Sequence, residues 1–178
     1  GFVYINRGLI TAVNNEAELA GVVAHEIGHV AAKHGARKLT KTLLLNVGLA
    51  TLEGLTEKDK DQQLYMALGE LLTQGLAMKY SRDDERQADD LAVETLHNMG
   101  YDPVAWIDFM EQLSQGHAEH FDLLQSTHPN TSERVQNVHN TFSKNFTPIS
   151  YITDTPEFQQ IKRRIQQPQA TIPAPQKP

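Results

Sequence analysis

The chemically most informative part of the chain is the stretch His25-Glu26-Ile27-Gly28-His29, which has the pattern H-E-x-x-H. On a helix, residues four positions apart lie on one face, so His25 and His29 can present two imidazole nitrogens to one ion. Glu26 lies one step round the helix, beside such an ion without having to bind it. Because two neutral imidazoles on a rigid element suit Zn²⁺, the pattern predicts one zinc ion per chain.

A zinc site that does chemistry needs a third protein ligand and one position for water. Cysteine is excluded, since the chain has none. A third histidine six residues after the second is also excluded, because position 35 is glycine, and position 32 is alanine instead of the glycine of that arrangement. His34 lies one residue too early, and we expect it to cap the C-terminus of the helix, where a partly positive imidazole is favourable. The third ligand should therefore be a carboxylate from a later helix.

The best candidate carboxylates are Glu85 and Asp89, which lie four positions apart on a predicted helix. Both can face the same neighbour, and a metal-bound histidine usually donates its other N–H to a carboxylate. We therefore predict Glu85 as the third ligand and Asp89 as the partner of His25 or His29. The alternative is a solvated helix start, where the acidic run 83–85 simply complements the helix dipole.

The elements that position these residues are predicted to be mostly helical, so the fold class is mainly α (α+β) with a small edge β-strand or hairpin. Capping patterns at Asn15/Glu18 and Ser81/Asp84 mark two of the helix starts. We expect one domain over residues 1–166 and a flexible Pro/Gln-rich tail at 167–178. The predicted elements are a strand at Gly1–Asn6, helices at 16–34, 39–55, 56–78, 81–100, 103–113, 131–141 and 156–166, and a short extended stretch at 149–152.

Composition narrows the function classes. The 178 residues suffice for one buried core, and the net charge of −6 argues against a nucleic-acid partner. No run approaches the roughly 18 apolar residues that span a bilayer. Because the chain opens with Gly1 rather than Met, we expect a fragment of a longer protein, from which a leader or an anchor could have been removed.

Four stretches, taken together, resemble the HtpX-like and CAAX-prenyl-protease family of zinc metallopeptidases, which belongs with the glutamate-liganded zincins. The resemblance covers about residues 1–140, and the joint order of the stretches is far more specific than H-E-x-x-H alone. The stretches are Tyr4 to Leu9; Glu18 to Val30 with His34; Ser81-Arg82 to Glu85 with Ala88-Asp89; and Ser126-Thr127-His128-Pro129 followed by Arg134.

The resemblance implies a zincin-like domain with zinc on His25, His29 and Glu85, a catalytic Glu26 and Asp89 beside the ligands. Glu26 would act as the general base in hydrolysis of polypeptides. If extended peptides dock on the edge of the predicted strand Gly1–Asn6, unfolded or misassembled polypeptides are a reasonable substrate class. His128 would either stabilise the oxyanion or bind zinc as a fourth ligand that silences the site; a loop histidine packed beside Pro129 is the plain alternative. Arg134 would orient a carboxylate near the site, or lie on the helix surface.

The chain departs from the family pattern in two ways, and the first of them bears on its expected location. Integral-membrane members carry spanning helices that are absent here, so the chain resembles the soluble branch, and a periplasmic or membrane-associated extracytoplasmic location is favoured. Members also have an upstream strand that would pair with residues 2–5. Two alternatives to an enzyme are a metal-stabilised binding or chaperone-like module with a self-blocked zinc site, and a helical interaction domain without metal.

Overall fold

The computed structural model describes residues 2–52, 56, 58–59, 61–62, 64–66, 69, 79–114, 127–128, 132–147 and 149–167. Within these residues the fold is mainly α, which confirms the predicted class. Its helices are α1 (Arg7–Ala12), α2 (Glu16–Ala31), α3 (His34–Leu52), α4 (Arg82–Met99), α5 (Val104–Ser114), α6 (Ser132–Asn145) and α7 (Pro156–Gln166). Each described helix falls short of the length and apolar character needed to cross a membrane.

Side-chain caps set the starts of α2 and α4, as predicted. The Asn15 side chain accepts a hydrogen bond from the backbone N–H of Glu18 at 2.9 Å. Ser81 and Asp84 form a reciprocal capping box, in which each side chain accepts from the other residue's backbone N–H at 3.2 Å. Gly100 then ends α4 in the left-handed conformation, with a φ of 80°. The Ser81/Asp84 capping box and Gly100 therefore mark the two ends of α4.

Two prolines mark the starts of α5 and α7, again as predicted. α5 begins directly after Pro103, and α7 begins at Pro156. The Thr155 side chain caps α7 by accepting from the Phe158 N–H at 3.1 Å. Proline suits these positions because its missing N–H would be unpaired there in any case.

The junction between α2 and α3 differs from the prediction. α2 ends at Ala31, and α3 begins at His34, earlier than expected. Lys33 adopts the left-handed φ of 57° that separates the two helices, so Gly35 lies inside α3 rather than ending α2. The predicted capping role of His34 is therefore wrong: its side chain is buried and lies against His29.

The predicted edge strand at the start of the chain is also wrong. Residues 2–6 form no strand, and the side chains of Phe2 and Tyr4 are both 89% exposed. Apolar β-forming residues make a strand only when a partner pairs with their backbone, and the described residues provide none here. The extended stretch at 149–152 contributes a single isolated parallel bridge between Tyr101 and Ile152.

Some predicted elements lie partly outside the described residues. In the helix predicted over 56–78, the described positions between 58 and 69 are helical, and the others are not described. The Asn130 cap of α6 and the tail from residue 168 onward also lie outside. α6 itself runs to Asn145, one turn beyond its predicted end.

The core lies where α2, α4 and α5 meet, and α6 and α7 close it. The most extensive packing is between α2 and α4, the two helices that carry the predicted ligands. At Gly28 the two backbones nearly touch, because a Cβ there would lie 3.0 Å from the Ala88 carbonyl oxygen. The buried apolar side chains of the core are Val13, Val22, Ala24, Ala92, Val93, Leu96, Trp106, Ile107, Phe109, Met110, Leu113, Val138 and Phe158.

Candidate metal centre

Two helices and one short segment bring together four side chains of the types that can bind a metal ion. His25 and His29 come from α2, Glu85 from the first turn of α4, and His128 from the described pair 127–128. Each offers one ligand atom, and these atoms all lie within 4.8 Å of one another. All four side chains are buried. We call these four residues the ligand cluster; they could hold a metal ion.

The spacing of the ligand atoms tests whether a metal fits. The Nε2 atoms of His25 and His29 are 3.1 Å apart, and His25 Nε2 is 3.3 Å from His128 Nδ1. Glu85 Oε1 lies 3.0 Å from His128 Nδ1 and 3.6 Å from His29 Nε2. A tetrahedral zinc site, with bonds of about 2.0–2.1 Å, separates neighbouring ligand atoms by about 3.3–3.4 Å. These four separations lie within about 0.4 Å of that value, so this part of the cluster is compatible with a small tetrahedral cation.

Arg134 of α6 joins the two carboxylates of α4. Its Nη1 lies 2.7 Å from Glu85 Oε2, and its Nε and Nη2 donate to the two oxygens of Asp89 at 2.8 and 2.7 Å. Burial alone would raise the pKa of each carboxyl group. At Glu85, hydrogen bonds with His128 and His25 and the positive charge of Arg134 outweigh burial and lower the pKa. At Asp89, hydrogen bonds with Arg134 and His25 outweigh burial and lower the pKa. Both groups are therefore carboxylates, which can accept a cation.

The two histidines of α2 have opposite electrostatic environments. Burial disfavours a charged His25, but its contacts with Asp89 and Glu85 outweigh burial and raise its pKa. Its Nδ1 lies 3.0 Å from Asp89 Oδ1, which leaves Nε2 directed at the ligand cluster. Burial and the neighbouring His25 lower the pKa of His29 to about 3, so His29 is neutral at physiological pH. A neutral imidazole is the form that binds metals.

Glu26 lies next to the ligand cluster but outside it. Its side chain is 45% exposed, and its Oε1 is 3.4 Å from His128 Nε2. His128 therefore contacts the cluster through Nδ1 and Glu26 through Nε2. Glu26 also lines a small pocket, whose apolar walls are Val22, Trp106, Met110 and Leu113.

Three residues at this site were missed or misassigned by the sequence reasoning. The Tyr80 ring packs on His29 with ring centroids 4.0 Å apart, and Trp106 packs on His25 at 5.1 Å. His34 contacts His29 from the other side. Spacing within the sequence carries no signal for the two aromatic residues, since they reach the site through tertiary packing alone.

The chain is similar in sequence to several proteins named as proteases. Metalloprotease YcaL of Escherichia coli (strain K12) is 28% identical over 138 residues, which cover 78% of this chain and 54% of that protein. The beta-barrel assembly-enhancing protease of Yersinia pestis is 31% identical over 120 residues, covering 64% of this chain and 24% of that protein. The mitochondrial metalloendopeptidase OMA1 of Arabidopsis thaliana is 29% identical over 134 residues, which cover 75% of this chain and 26% of that protein.

The chain spans between about a quarter and about half of the length of these relatives. A family match has bounds that include the H-E-x-x-H stretch and the two carboxylates Glu85 and Asp89. That match is to the family described as Peptidase family M48, and it runs over residues 1–142. The chain therefore belongs to peptidase family M48.

Proposed function

We propose that this chain is a zinc-dependent endopeptidase that hydrolyses polypeptides. The observation that carries the proposal is the buried ligand cluster, whose four ligand atoms lie within 4.8 Å of one another, with a half-exposed Glu26 beside it. Membership of a peptidase family that includes metalloproteases supports the same function. Zinc is the favoured ion because imidazole and carboxylate ligands at this spacing suit it.

His25, His29 and Glu85 would hold the zinc ion. A bound zinc ion would lower the pKa of a coordinated water toward about 7 and polarise the scissile carbonyl. Glu26 would take the proton of the attacking water and then give it to the leaving amine. Its partly exposed carboxylate suits this role, since solvent and substrate can both reach it. Asp89 would hold His25 in the tautomer that binds through Nε2, and Arg134 would hold Asp89 and Glu85 in place.

The finer assignments are also proposals. The strong match is to peptidase family M48, and a place beside the HtpX-like and CAAX-prenyl proteases within it stays a prediction. One relative is named for enhancing beta-barrel assembly, which supports misassembled polypeptides as substrates and an extracytoplasmic location. The division into a domain over 1–166 and a tail also stays a prediction.

Metal removal tests the proposal. We expect the purified chain to contain about one zinc ion per molecule by elemental analysis and to hydrolyse casein. Treatment with 1,10-phenanthroline should abolish hydrolysis, and one equivalent of zinc should restore it. Bound zinc should also raise the thermal unfolding midpoint, because it binds the folded state. A chain that lacks zinc and takes up none on addition would contradict the proposal.

A second candidate function is a closed metal site, in which His128 blocks the position that water needs. The position of His128 Nδ1 favours this candidate, because it lies within tetrahedral spacing of both His25 and Glu85. Four protein ligands are typical of structural rather than catalytic zinc sites. The closed site would make the chain either a latent endopeptidase or a metal-stabilised binding module.

The substitution His128→Ala separates these candidates. If the site is closed, we expect casein hydrolysis to increase, because alanine removes the fourth ligand and leaves three. If the site is open in about one molecule in ten, the gain would be about tenfold. Zinc content should stay near one per chain. A fall of about 10²–10³-fold would instead assign His128 to the oxyanion, and tightly bound zinc without hydrolysis in either protein would indicate the binding module.

A further inference from the structure

His34 is a buried histidine that the proposed chemistry does not use. It is only 1% exposed and lies at the first position of α3, directly after the left-handed Lys33. This turn directs its ring back against α2. Its Nδ1 lies 2.9 Å from His29 Nδ1, on the side of the His29 ring that faces away from the ligand cluster.

The other nitrogen of His34 faces two acceptors. Its Nε2 lies 3.0 Å from Gln87 Oε1 and 3.5 Å from Asp84 Oδ1. The orientation of the Gln87 amide is determined by Arg37, whose Nη2 donates to the same Oε1 at 3.1 Å. Because a guanidinium group can only donate, the atom between Arg37 and His34 must be the amide oxygen. His34 Nε2 must therefore carry a proton and donate it to Gln87.

The proton on His34 Nε2 determines the tautomer of His29. A neutral His34 with hydrogen on Nε2 has a bare Nδ1, which can only accept. His29 Nδ1 must then carry a proton and donate it to His34. Since a neutral imidazole has one proton, His29 Nε2 is left with a free lone pair directed at the ligand cluster. The reverse arrangement would place the bare His34 Nε2 against two oxygen acceptors.

We infer that His34, oriented by Gln87 and Arg37, is a positioning residue that holds His29 in the tautomer and ring orientation needed to bind metal through Nε2. The inference rests on the proposed function, in which His29 is a ligand. The two histidines of α2 are then supported differently. His25 has a carboxylate, Asp89, as its partner, whereas His29 has a neutral imidazole that is itself fixed by an amide.

The substitutions His34→Leu and His34→Asn form a matched pair. The two new side chains have nearly the same shape, but only asparagine keeps an acceptor close to the position of Nδ1. We expect His34→Leu to lose zinc affinity by about 10- to 100-fold, as is typical when the partner of a metal-binding histidine is removed. His34→Asn should stay within a few-fold of the wild type. Affinity is measured on the full chain by competition with a chromophoric chelator.

The tautomer itself can be measured without metal. Two-bond ¹H–¹⁵N correlation spectra of the metal-free wild type should show His29 protonated on Nδ1, and the other tautomer should become populated in His34→Leu. Thermal unfolding of the metal-free variants shows whether the fold is kept. If His34→Leu does not fold, Gln87→Met replaces it, because Gln87 is exposed and its loss should weaken zinc binding in the same direction.

The outcomes distinguish this inference from the proposed function. Wild-type zinc affinity in both His34→Leu and Gln87→Met would overturn the inference and leave the endopeptidase proposal intact. A folded His34→Asn that is as weak as His34→Leu would also overturn it, since the retained acceptor would then have no effect. If the wild type bound no zinc, the proposed function would fail, and the tautomer spectrum would still decide whether His34 orients His29.

Discussion

Replacing Glu26 with glutamine is expected to abolish casein hydrolysis and leave the zinc content unchanged. The glutamine side chain keeps the size of Glu26 but cannot take a proton from water, and general-base catalysis contributes about 10²–10⁴-fold to a rate. Glu26 lies outside the ligand cluster and contacts His128. The metal should therefore stay bound. Hydrolysis is measured with fluorescent casein and zinc by elemental analysis on the same preparations.

The control for this prediction is Glu94→Gln, which makes the same chemical change on the exposed surface of α4. We expect its hydrolysis and zinc content to match those of the wild type. Equal activity of Glu26→Gln and the control would remove Glu26 from the role of base. A loss of zinc in Glu26→Gln would show that the residue helps to bind the metal.

Replacing Arg134 with methionine is expected to destabilise the metal-free chain by about 3–5 kcal/mol, the cost of removing the cation from a buried ion pair. Arg134 is the cation that contacts both Glu85 and Asp89, and each carboxylate is only 2% exposed. Methionine keeps much of the length of the side chain but leaves two buried negative charges in one pocket. The free energy of unfolding is measured by urea denaturation without metal. A domain of this kind is typically stable by about 5–15 kcal/mol, so the loss is large.

Two controls accompany this measurement. Arg86→Met removes an exposed arginine that pairs with Asp83 and Glu133 on the surface, and we expect little change. The double variant Arg134→Met/Asp89→Asn should recover part of the lost stability, because it removes one of the two negative charges that Arg134 contacts. An Arg134→Met variant as stable as Arg86→Met would show that the two carboxylates do not need Arg134.

Local patterns in the sequence predict the helices that carry the site. The Ser81/Asp84 capping box and the Asn15/Glu18 pair place the starts of α4 and α2, because these contacts lie within one turn of chain. In each pair the two residues are three positions apart, and this spacing alone lets the side chain of the first residue cap the start of the helix. Spacing also places Glu85 and Asp89 on one face of α4.

The failures occur where distant residues decide the structure. Residues 2–6 have the composition of a strand, but a strand also needs a partner, and propensity alone does not supply one. Gly35 has the usual identity for a helix end, yet Lys33 takes the left-handed conformation and His34 packs against His29. Packing between helices thus overrides the local preference for glycine.

The contact between Asp89 and Arg134 is a second feature that local sequence patterns do not predict. The two residues are separated by 45 positions in sequence and bind each other through two hydrogen bonds. The four-residue spacing from Glu85 identifies Asp89 as a candidate carboxylate on α4. The residue pattern of α6 does not distinguish Arg134 from a surface arginine. Only the packing of α6 against α4 brings the two together.

The near-contact of α2 and α4 at Gly28 has a consequence for which ions the chain can accept. With the Gly28 and Ala88 backbones already touching, the helices cannot move closer together, and a side chain at position 28 would force them apart. A closer approach of the two helices therefore cannot bring His29 and Glu85 nearer to each other. A large hard cation such as Ca²⁺ takes six to eight oxygen ligands at about 2.3–2.6 Å and needs an adaptable shell. We expect the ligand cluster, which has three imidazoles and one carboxylate, to bind calcium weakly, because calcium is too large for it and prefers oxygen ligands.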